Sequence, residues 1–314
     1  MCIGAFRNGV SLYRFALTAS LALRLARIMG EEHMTSTSKK TWLITGADKG
    51  LGYETAKAAL ERGDQVVVTV LAQDGSHSLL DAYPDRLRAF HLDARDQARI
   101  GTVVAAAVEA FGCIDILVNN AGYGLIALAE ETAADKYRPL FEVNFFGLVE
   151  MTRAVLPYMR RQRSGHIINL SSYAGFMATP GFSFYSASKF AVEGYSEGLA
   201  KEVEQFGIHV TIIEPGGFRS DFAGGSLVTE KGSLVQEYTE VGARVEQYSA
   251  SRHGKQPNDP KKFGLALCRV VDEASPPIRL PLGEDALNAI RKETQTVAAE
   301  LERWAELSAS TRFE

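Results

Sequence analysis

Thr45-Gly46-Ala47-Asp48-Lys49-Gly50-Leu51-Gly52 follows a short apolar run, Trp42-Leu43-Ile44, and opens a helical stretch from about Gly50 to Arg62. Gly63-Asp64 ends that stretch. A glycine turn between a strand and a helix offers free backbone N–H groups and the positive end of a helix, an arrangement that suits a phosphate. Glycine is required because a side chain would hold the phosphate away from the backbone. The spacing is Gly-x3-Gly-x-Gly rather than the better known GxGxxG. The chain has 28 glycines, so three at this spacing say little alone. Their place between the first strand and the first helix is what points to a nucleotide.

Outward from the turn, strand and helix alternate. Gln65 to Val70 is a β-branched strand, Arg86 to Leu92 another, and a helix from about Gln97 to Phe111 closes at Gly112. Asp115 to Val118 is a fourth strand. A long helical region covers roughly 135–163, with a kink expected at Pro157. His166 to Leu170 is a fifth strand, a helix from about Phe184 to Phe206 follows, and Ile208 to Ile213 is the sixth. A Gly-rich stretch read as irregular runs from Pro215 to about Pro257. A helix near 260–273, a short strand Ile278-Arg279-Leu280 and a terminal helix from about 284 to 306 finish the chain. Short strands separated by helices imply βαβ crossovers and a buried parallel sheet. No repeat, low-complexity tract or linker splits residues 34–314, so they read as one α/β domain.

The 314 residues are 46% hydrophobic and 23% charged, as in a globular protein rather than a disordered one. Against 34 basic side chains stand 38 acidic ones, a net charge of −4, which argues against nucleic-acid binding. Cys2, Cys113 and Cys268 lie far apart and form no CxxC pair, metal spacing or disulfide framework. No metal is expected, and a reducing, cytoplasmic setting is the simple inference. Residues 1–30 contain Arg7, Arg14, Arg24 and Arg27 and no acid, and their apolar run from Phe15 to Leu23 is too short to span a bilayer. Met34 opens a polar lead into the first strand, so residues 1–33 read as a dispensable extension. An organelle transit sequence or an amphipathic interfacial helix remains the alternative.

A tyrosine–lysine pair is the second chemical signal. Tyr185 and Lys189 are four apart and so neighbours on a helix surface. A free phenol has a pKa near 10, and a nearby ammonium favours the phenolate. Tyr53 and Lys57 share the spacing, but they lie in the helix after the glycine turn, where an ordinary surface pair is the better reading. Ser171-Ser172 ends the fifth strand thirteen residues before Tyr185. Ligands bind at the C-terminal strand ends of open parallel sheets, so Ser172 and Tyr185 can meet over a substrate.

These residues together resemble the short-chain dehydrogenase/reductase family. The pieces, in order, are Thr45–Gly52, Leu92-Asp93, Asn119-Asn120-Ala121-Gly122, Asn144 in Val143-Asn144-Phe145, Ser172, Tyr185-Ser-Ala-Ser-Lys189 and Pro215-Gly216. The resemblance covers about 40–220 closely and implies a doubly wound, mostly parallel seven-stranded Rossmann sheet with helices on both faces. It implies a nicotinamide cofactor across the strand ends, cradled by Gly46, Gly50, Leu51 and Gly52, with Pro215, Gly216 and Ser220 near the nicotinamide. Ser220 stands where the family often has Thr. By the same resemblance Tyr185 is the general acid or base, and Lys189 holds the nicotinamide ribose and depresses the Tyr185 pKa. Ser172 polarises the substrate oxygen, and Asn144 anchors a water linking Lys189 to solvent. Asp93 contacts the adenine, while Asn119 and Gly122 pass near the adenosine ribose; Asn120 reads as a stabiliser of the turn after strand four.

The resemblance makes the chain an oxidoreductase interconverting a carbonyl and an alcohol. Strand two ends Val68-Thr69-Val70-Leu71, with no carboxylate to favour NAD and no arginine at Leu71 to favour NADP. Lys49 before Gly50 favours NADP, with NAD possible and a solvated loop lysine as the plain alternative. The stretch 217–257 is expected to form a substrate lid. Its Phe218, Phe222, Leu227, Val228, Tyr238 and Tyr248, with Tyr123, Phe176, Phe182 and Phe184, suggest an apolar or aromatic substrate or else ordinary core packing. Asn-Asn-Ala-Gly-Tyr-Gly is similar to the hydroxysteroid and retinol dehydrogenase side of the family, a pointer to a lipid-like alcohol or ketone. The rivals are a membrane-associated lipid dehydrogenase anchored by residues 1–30 and a non-catalytic nucleotide sensor. Family members commonly pair through the helices near 140–163 and 185–206, so a homo-oligomer is expected.

Overall fold

Valine, isoleucine and leucine fill the strands, and alternate residues on each strand face opposite ways. Strand β1 (Thr41–Ile44) leads through the glycine turn into helix α1 (Gly50–Glu61), strands β2 (Gln65–Val70) and β3 (Leu87–His91) follow, and helix α2 (Gln97–Phe111) connects β3 to strand β4 (Ile116–Asn119). This computed structural model describes residues 39–220, 222–229, 235–252 and 254–313. The extension 1–33 lies outside the described residues. Trp42, Ile44, Val66, Val68, Ile116 and Val118 face one core with Ala56, Ala59 and Leu60 of α1. Leu43, Val67 and Leu117 face the other with Ile100, Val103 and Val104 of α2.

After β4 come a three-residue strand β5 (Gly124–Ile126) and helix α3 (Ala134–Phe141). A five-residue π-helical turn, Glu142–Phe146, leads from α3 into α4 (Gly147–Gln162). The helical region expected over 135–163 is present from Ala134 to Gln162, with this turn as a local change of winding. Pro157, where a kink is expected, lies inside α4. An added residue in a helical turn re-aims the side chains on it, and such turns cluster at functional sites. Strand β6 (Gly165–Leu170), helix α5 (Ser183–Val203) and strand β7 (Ile208–Pro215) complete the alternation.

The stretch from Pro215 to about Pro257, expected to be irregular, contains a short helix α6 (Phe222–Gly225), strand β8 (Leu227–Thr229) and helix α7 (Thr239–Arg252). β8 pairs in parallel with β5, Gly124 opposite Leu227. Helix α8 (Pro260–Val270), capped by Asp259, returns to the first core through Phe263 and Leu267. Strand β9 (Arg279–Leu282) and helix α9 (Glu284–Ala309) end the chain. The main sheet runs β3-β2-β1-β4-β6-β7-β9, all seven strands parallel. The strand order reverses direction between β1 and β4, and the strand ends splay there into a crevice. No helix among the described residues is long and apolar enough to cross a membrane.

Candidate active site

A cleft of about 900 Å³ opens at the C-terminal ends of β1, β2, β4, β6 and β7. Its floor is the glycine turn. Gly46 has φ +61°, and a Cβ there would lie 2.9 Å from Ala121 Cα. A Cβ on Gly52 would lie 2.5 Å from Asn120 Nδ2 and 2.7 Å from Gly46 O. Side chains at these positions would therefore break the turn. Asn120 locks it, Nδ2 donating to Thr45 O at 2.8 Å and to Gly46 O at 2.7 Å. Thr45 Oγ1 accepts from the backbone N–H groups of Asn120 and Ala121, both at 3.0 Å. The sequence places Asn120 only in the turn after strand four, and its link to the glycine turn, like that of Thr45, emerges from the fold.

A narrow backbone cradle at the head of α1, with the Lys49 side chain at its edge, fits the pyrophosphate of a dinucleotide. The remaining expected cofactor contacts also line this cleft: Leu51, Asp93, Asn119, Gly122, Pro215, Gly216 and Ser220. Asp93 carries Arg95 beside it, Arg95 Nε at 3.0 Å and a terminal nitrogen at 2.6 Å from the carboxylate. That pairing holds the Asp93 carboxyl below its ordinary range and places an unforeseen cation on the rim. Asn119 turns its amide into the protein, Nδ2 donating to Thr152 Oγ1 and Asn169 Oδ1, both at 2.9 Å. Gly217 N donates to Asp285 Oδ2 at 2.7 Å, so α9 steadies the segment after Pro215. A Cβ on Gly50 would meet Ser220 Cβ at 3.6 Å, which places Ser220 against the turn.

At the far end of the cleft four expected side chains converge. The sharp turn after β6 leaves Ser172 as the cap of a one-turn helix, Oγ accepting from Ala174 N at 3.1 Å, with the hydroxyl near enough to the Tyr185 phenol to lower its pKa. Lys189, one turn along α5 from Tyr185, donates from Nζ to Leu170 O at 2.8 Å, and Nζ is 5.9 Å from the Tyr185 ring centre. The π-helical turn carries Asn144 inward. Its Nδ2 donates to Tyr123 O at 2.9 Å and Ser188 Oγ at 3.2 Å, and its Oδ1 accepts from Tyr123 N at 2.9 Å. A Cβ on Gly122 would lie 3.0 Å from Asn144 Oδ1 and 3.7 Å from Lys189 Nζ, so the two side chains meet over that glycine. Tyr53 and Lys57 take no part. Tyr53 stacks on His77 at 5.6 Å, and Lys57 lies 3.9 Å from Glu61.

Burial governs the titration of the pair. The Tyr185 phenol is pushed up to about 12, chiefly by desolvation, with the Ser172 hydrogen bond opposing. Desolvation pushes the Lys189 ammonium down to about 8, and the charge of Glu193 opposes that. Desolvation thus prevails at Tyr185, and the Lys189 ammonium expected to lower it has Nζ turned to a carbonyl. Behind Lys189 lies a buried ionic group that no motif announced. Glu193 Oε2 is 3.1 Å and Glu214 Oε1 3.8 Å from Arg279 Nε, and Glu197 meets the same guanidinium at 3.0 Å.

The wall around Tyr185 is apolar. Tyr123, Phe182, Phe222, Leu227, Val228 and Tyr248 line it, with Phe218 towards the glycine segment. Of the other aromatics singled out, Phe184 instead stacks on Tyr137 at 4.4 Å.

The family model described as short chain dehydrogenase matches residues 40–230. The chain belongs to the short-chain dehydrogenase/reductase family. It is an NAD(P)-dependent oxidoreductase of that family, on the fold the sequence implied. It is 38% identical to oxidoreductase BOA17 of Botryotinia fuckeliana over 86% of this chain and 98% of that protein. With a 3-ketodihydrosphingosine reductase of Bacteroides thetaiotaomicron it shares 36% identity over 77% of this chain and 87% of that one. A solved short-chain dehydrogenase from Streptomyces avermitilis superposes with a TM-score of 0.81 at 40% identity, covering 88% of this chain and all of that one. A serine dehydrogenase solved with NADP+ superposes with a TM-score of 0.66 at 28% identity, over 77% of this chain and 94% of that one.

Proposed function

We propose that the protein is an NADP(H)-preferring carbonyl reductase or alcohol dehydrogenase acting on an apolar, lipid-like or aromatic substrate. The convergence of Ser172, Tyr185 and Lys189 at the apolar end of the cleft carries this reading. A nicotinamide cofactor bound in the cleft would supply or accept the hydride at the carbonyl carbon. Ser172 holds the substrate oxygen by a hydrogen bond. Tyr185 gives that oxygen its proton in reduction and takes it back in oxidation. A phenol near 12 keeps its proton at neutral pH, which suits the acid role. Lys189 would hydrogen-bond the ribose of a bound nicotinamide cofactor, while Asn144 holds the Tyr123 backbone that walls the pocket. The aromatic wall and the likeness to a 3-ketodihydrosphingosine reductase both support a long apolar ketone. A panel of carbonyls and alcohols followed by NAD(P)H absorbance tests the reading, and no turnover with any of them would refute it.

NADP preference rests on Lys49, which sits on the cleft wall with no carboxylate at Thr69, Val70 or Leu71 to compete. A charge-assisted hydrogen bond to the 2′-phosphate contributes about 1.5–3 kcal/mol, or roughly 10- to 100-fold in affinity. Lys49→Ala is expected to weaken NADPH binding by that factor and leave NADH binding nearly unchanged, as read by fluorescence titration. Equal weakening of both would remove Lys49 from the 2′-phosphate site. Residues 1–33 are proposed as dispensable. A chain beginning at Met34 is expected to bind NADPH and turn over as the full chain does. Loss of membrane partitioning on this truncation would instead favour an interfacial anchor.

A further inference from the structure

Two lid side chains converge on a bare stretch of backbone beside the candidate active site. Gly124 is buried in β5 and donates its N–H to Ser226 O at 2.8 Å. A Cβ there would lie 2.5 Å from Leu227 Cδ1, 2.9 Å from Phe222 Cζ and 3.2 Å from Phe222 Cε1. Real Cβ atoms do not approach carbon that closely, so any side chain at 124 displaces both groups. The backbone at Gly124 is an ordinary extended strand in register with Leu227, and no positive φ calls for glycine. The demand is therefore for space. A strand interior disfavours glycine, and one found there often marks a close approach. The space is occupied by Phe222, whose ring centre lies 6.1 Å from that of Tyr185. Phe222 and Leu227 line the cleft, whereas Gly124 stands behind them.

We propose that Gly124 is a positioning residue for substrate selection: by lacking a side chain it seats Phe222 and Leu227, and so sets the width of the apolar slot over Tyr185. The inference rests on the carbonyl–alcohol reading of this site and adds the position that shapes its substrate end. Gly124 touches neither the glycine turn nor the Lys49 side of the cleft, so its influence is confined to the substrate half. Displacing Phe222 by the several tenths of an ångström that a methyl group demands changes the fit of a bulky group more than that of a small one.

The test is a double-substitution cycle with Gly124→Ala and Phe222→Ala, using a small aliphatic ketone and a bulky aryl ketone with NADPH. Gly124→Ala alone is expected to change the ratio of kcat/KM between the two ketones by about 5-fold or more, chiefly through KM, with NADPH affinity unchanged. In the Phe222→Ala background most of that change is expected to vanish, because the group that transmits it is gone. Three results would overturn the proposal: an unchanged ratio, equal losses on both ketones, or effects that simply add. A wild-type protein that reduces no carbonyl refutes the functional reading instead. Binding of the same ketones to the NADPH complex, followed by quenching of NADPH fluorescence, then carries the cycle in place of turnover. There too an unchanged or additive pattern overturns the seat at Gly124.

Discussion

Tyr185→Phe is expected to lower turnover by at least 10²-fold in both directions while NADPH binding stays within about 2-fold. A positioned acid or base contributes roughly 10²–10⁴-fold, and the substitution removes only the group that carries the proton. The ring itself is kept, so its packing against Phe182 at 6.1 Å and Phe222 at 6.1 Å survives. Loss of the Ser172 hydrogen bond leaves that hydroxyl to Ala174 N and the substrate, not to a buried void. Burial holds the phenol near 12, so the wild type keeps its transferable proton throughout the neutral range and the reductive rate should not fall with a Tyr185 titration below pH 8. Tyr53→Phe is the control, since that ring stacks on His77 away from the cleft. Steady-state rates and a cofactor titration on the same samples check the claim. Comparable losses at both tyrosines, or retained turnover in Tyr185→Phe, would take the proton step away from Tyr185.

Part of this arrangement was legible in the sequence because local chemistry dictated it. Helix α2 begins at Gln97 and ends at Phe111 as read, since Asp96 caps its first turn and Gly112, at φ 84°, closes its last. Strand β2 matches Gln65–Val70 because a β-branched run fits nothing else there. The glycine turn and the Tyr185–Lys189 pair are local patterns, and the fold brought both to one cleft. What escaped has tertiary causes. β5 and β8 are three residues each and exist through pairing with one another across a hundred residues. The π-helical winding over Glu142–Phe146 has no proline or glycine among its own residues to mark it, and Pro157, where a kink is expected, is accommodated within α4. Helix α7 did carry a signal, Val241, Val245 and Tyr248 at helical spacing, but flanking glycines obscured it. Asp285 beneath Gly217 and the acidic group behind Lys189 involve partners far apart in the chain with no shared motif. Glu193 and Arg279, for example, are 86 residues apart.

That acidic group carries the second large expectation. Glu214→Gln should stabilise the protein at pH 8 by about 3 kcal/mol and by less than about 1 kcal/mol at pH 5. Glu214 is 1% exposed on β7, and its Oε1 has no hydrogen-bond partner. Desolvation first, and the neighbouring Glu193 charge second, push its carboxyl up to about 7 against the opposing Arg279. A carboxyl raised on folding contributes stability that is fully present below its unfolded pKa, here 4.5, and is lost as pH rises through the folded value near 7. Above that, the folded protein holds two buried carboxylates beside one guanidinium, since Arg279 lies 3.1 Å from Glu193 and 3.8 Å from Glu214. Glutamine keeps the shape and removes the charge that must be desolvated. Arg279 retains Glu193 and Glu197 at 3.1 and 3.0 Å, so its own pairing survives. Glu193 repels Glu214 and is eased in turn when that charge is removed, which acts in the same stabilising direction at pH 8. Thermal melts of the two proteins at pH 5 and pH 8 read the effect. A variant less stable than the wild type at pH 8, or equally shifted at both pH values, would mean that Glu214 is ionised throughout as an ion-pair partner of Arg279.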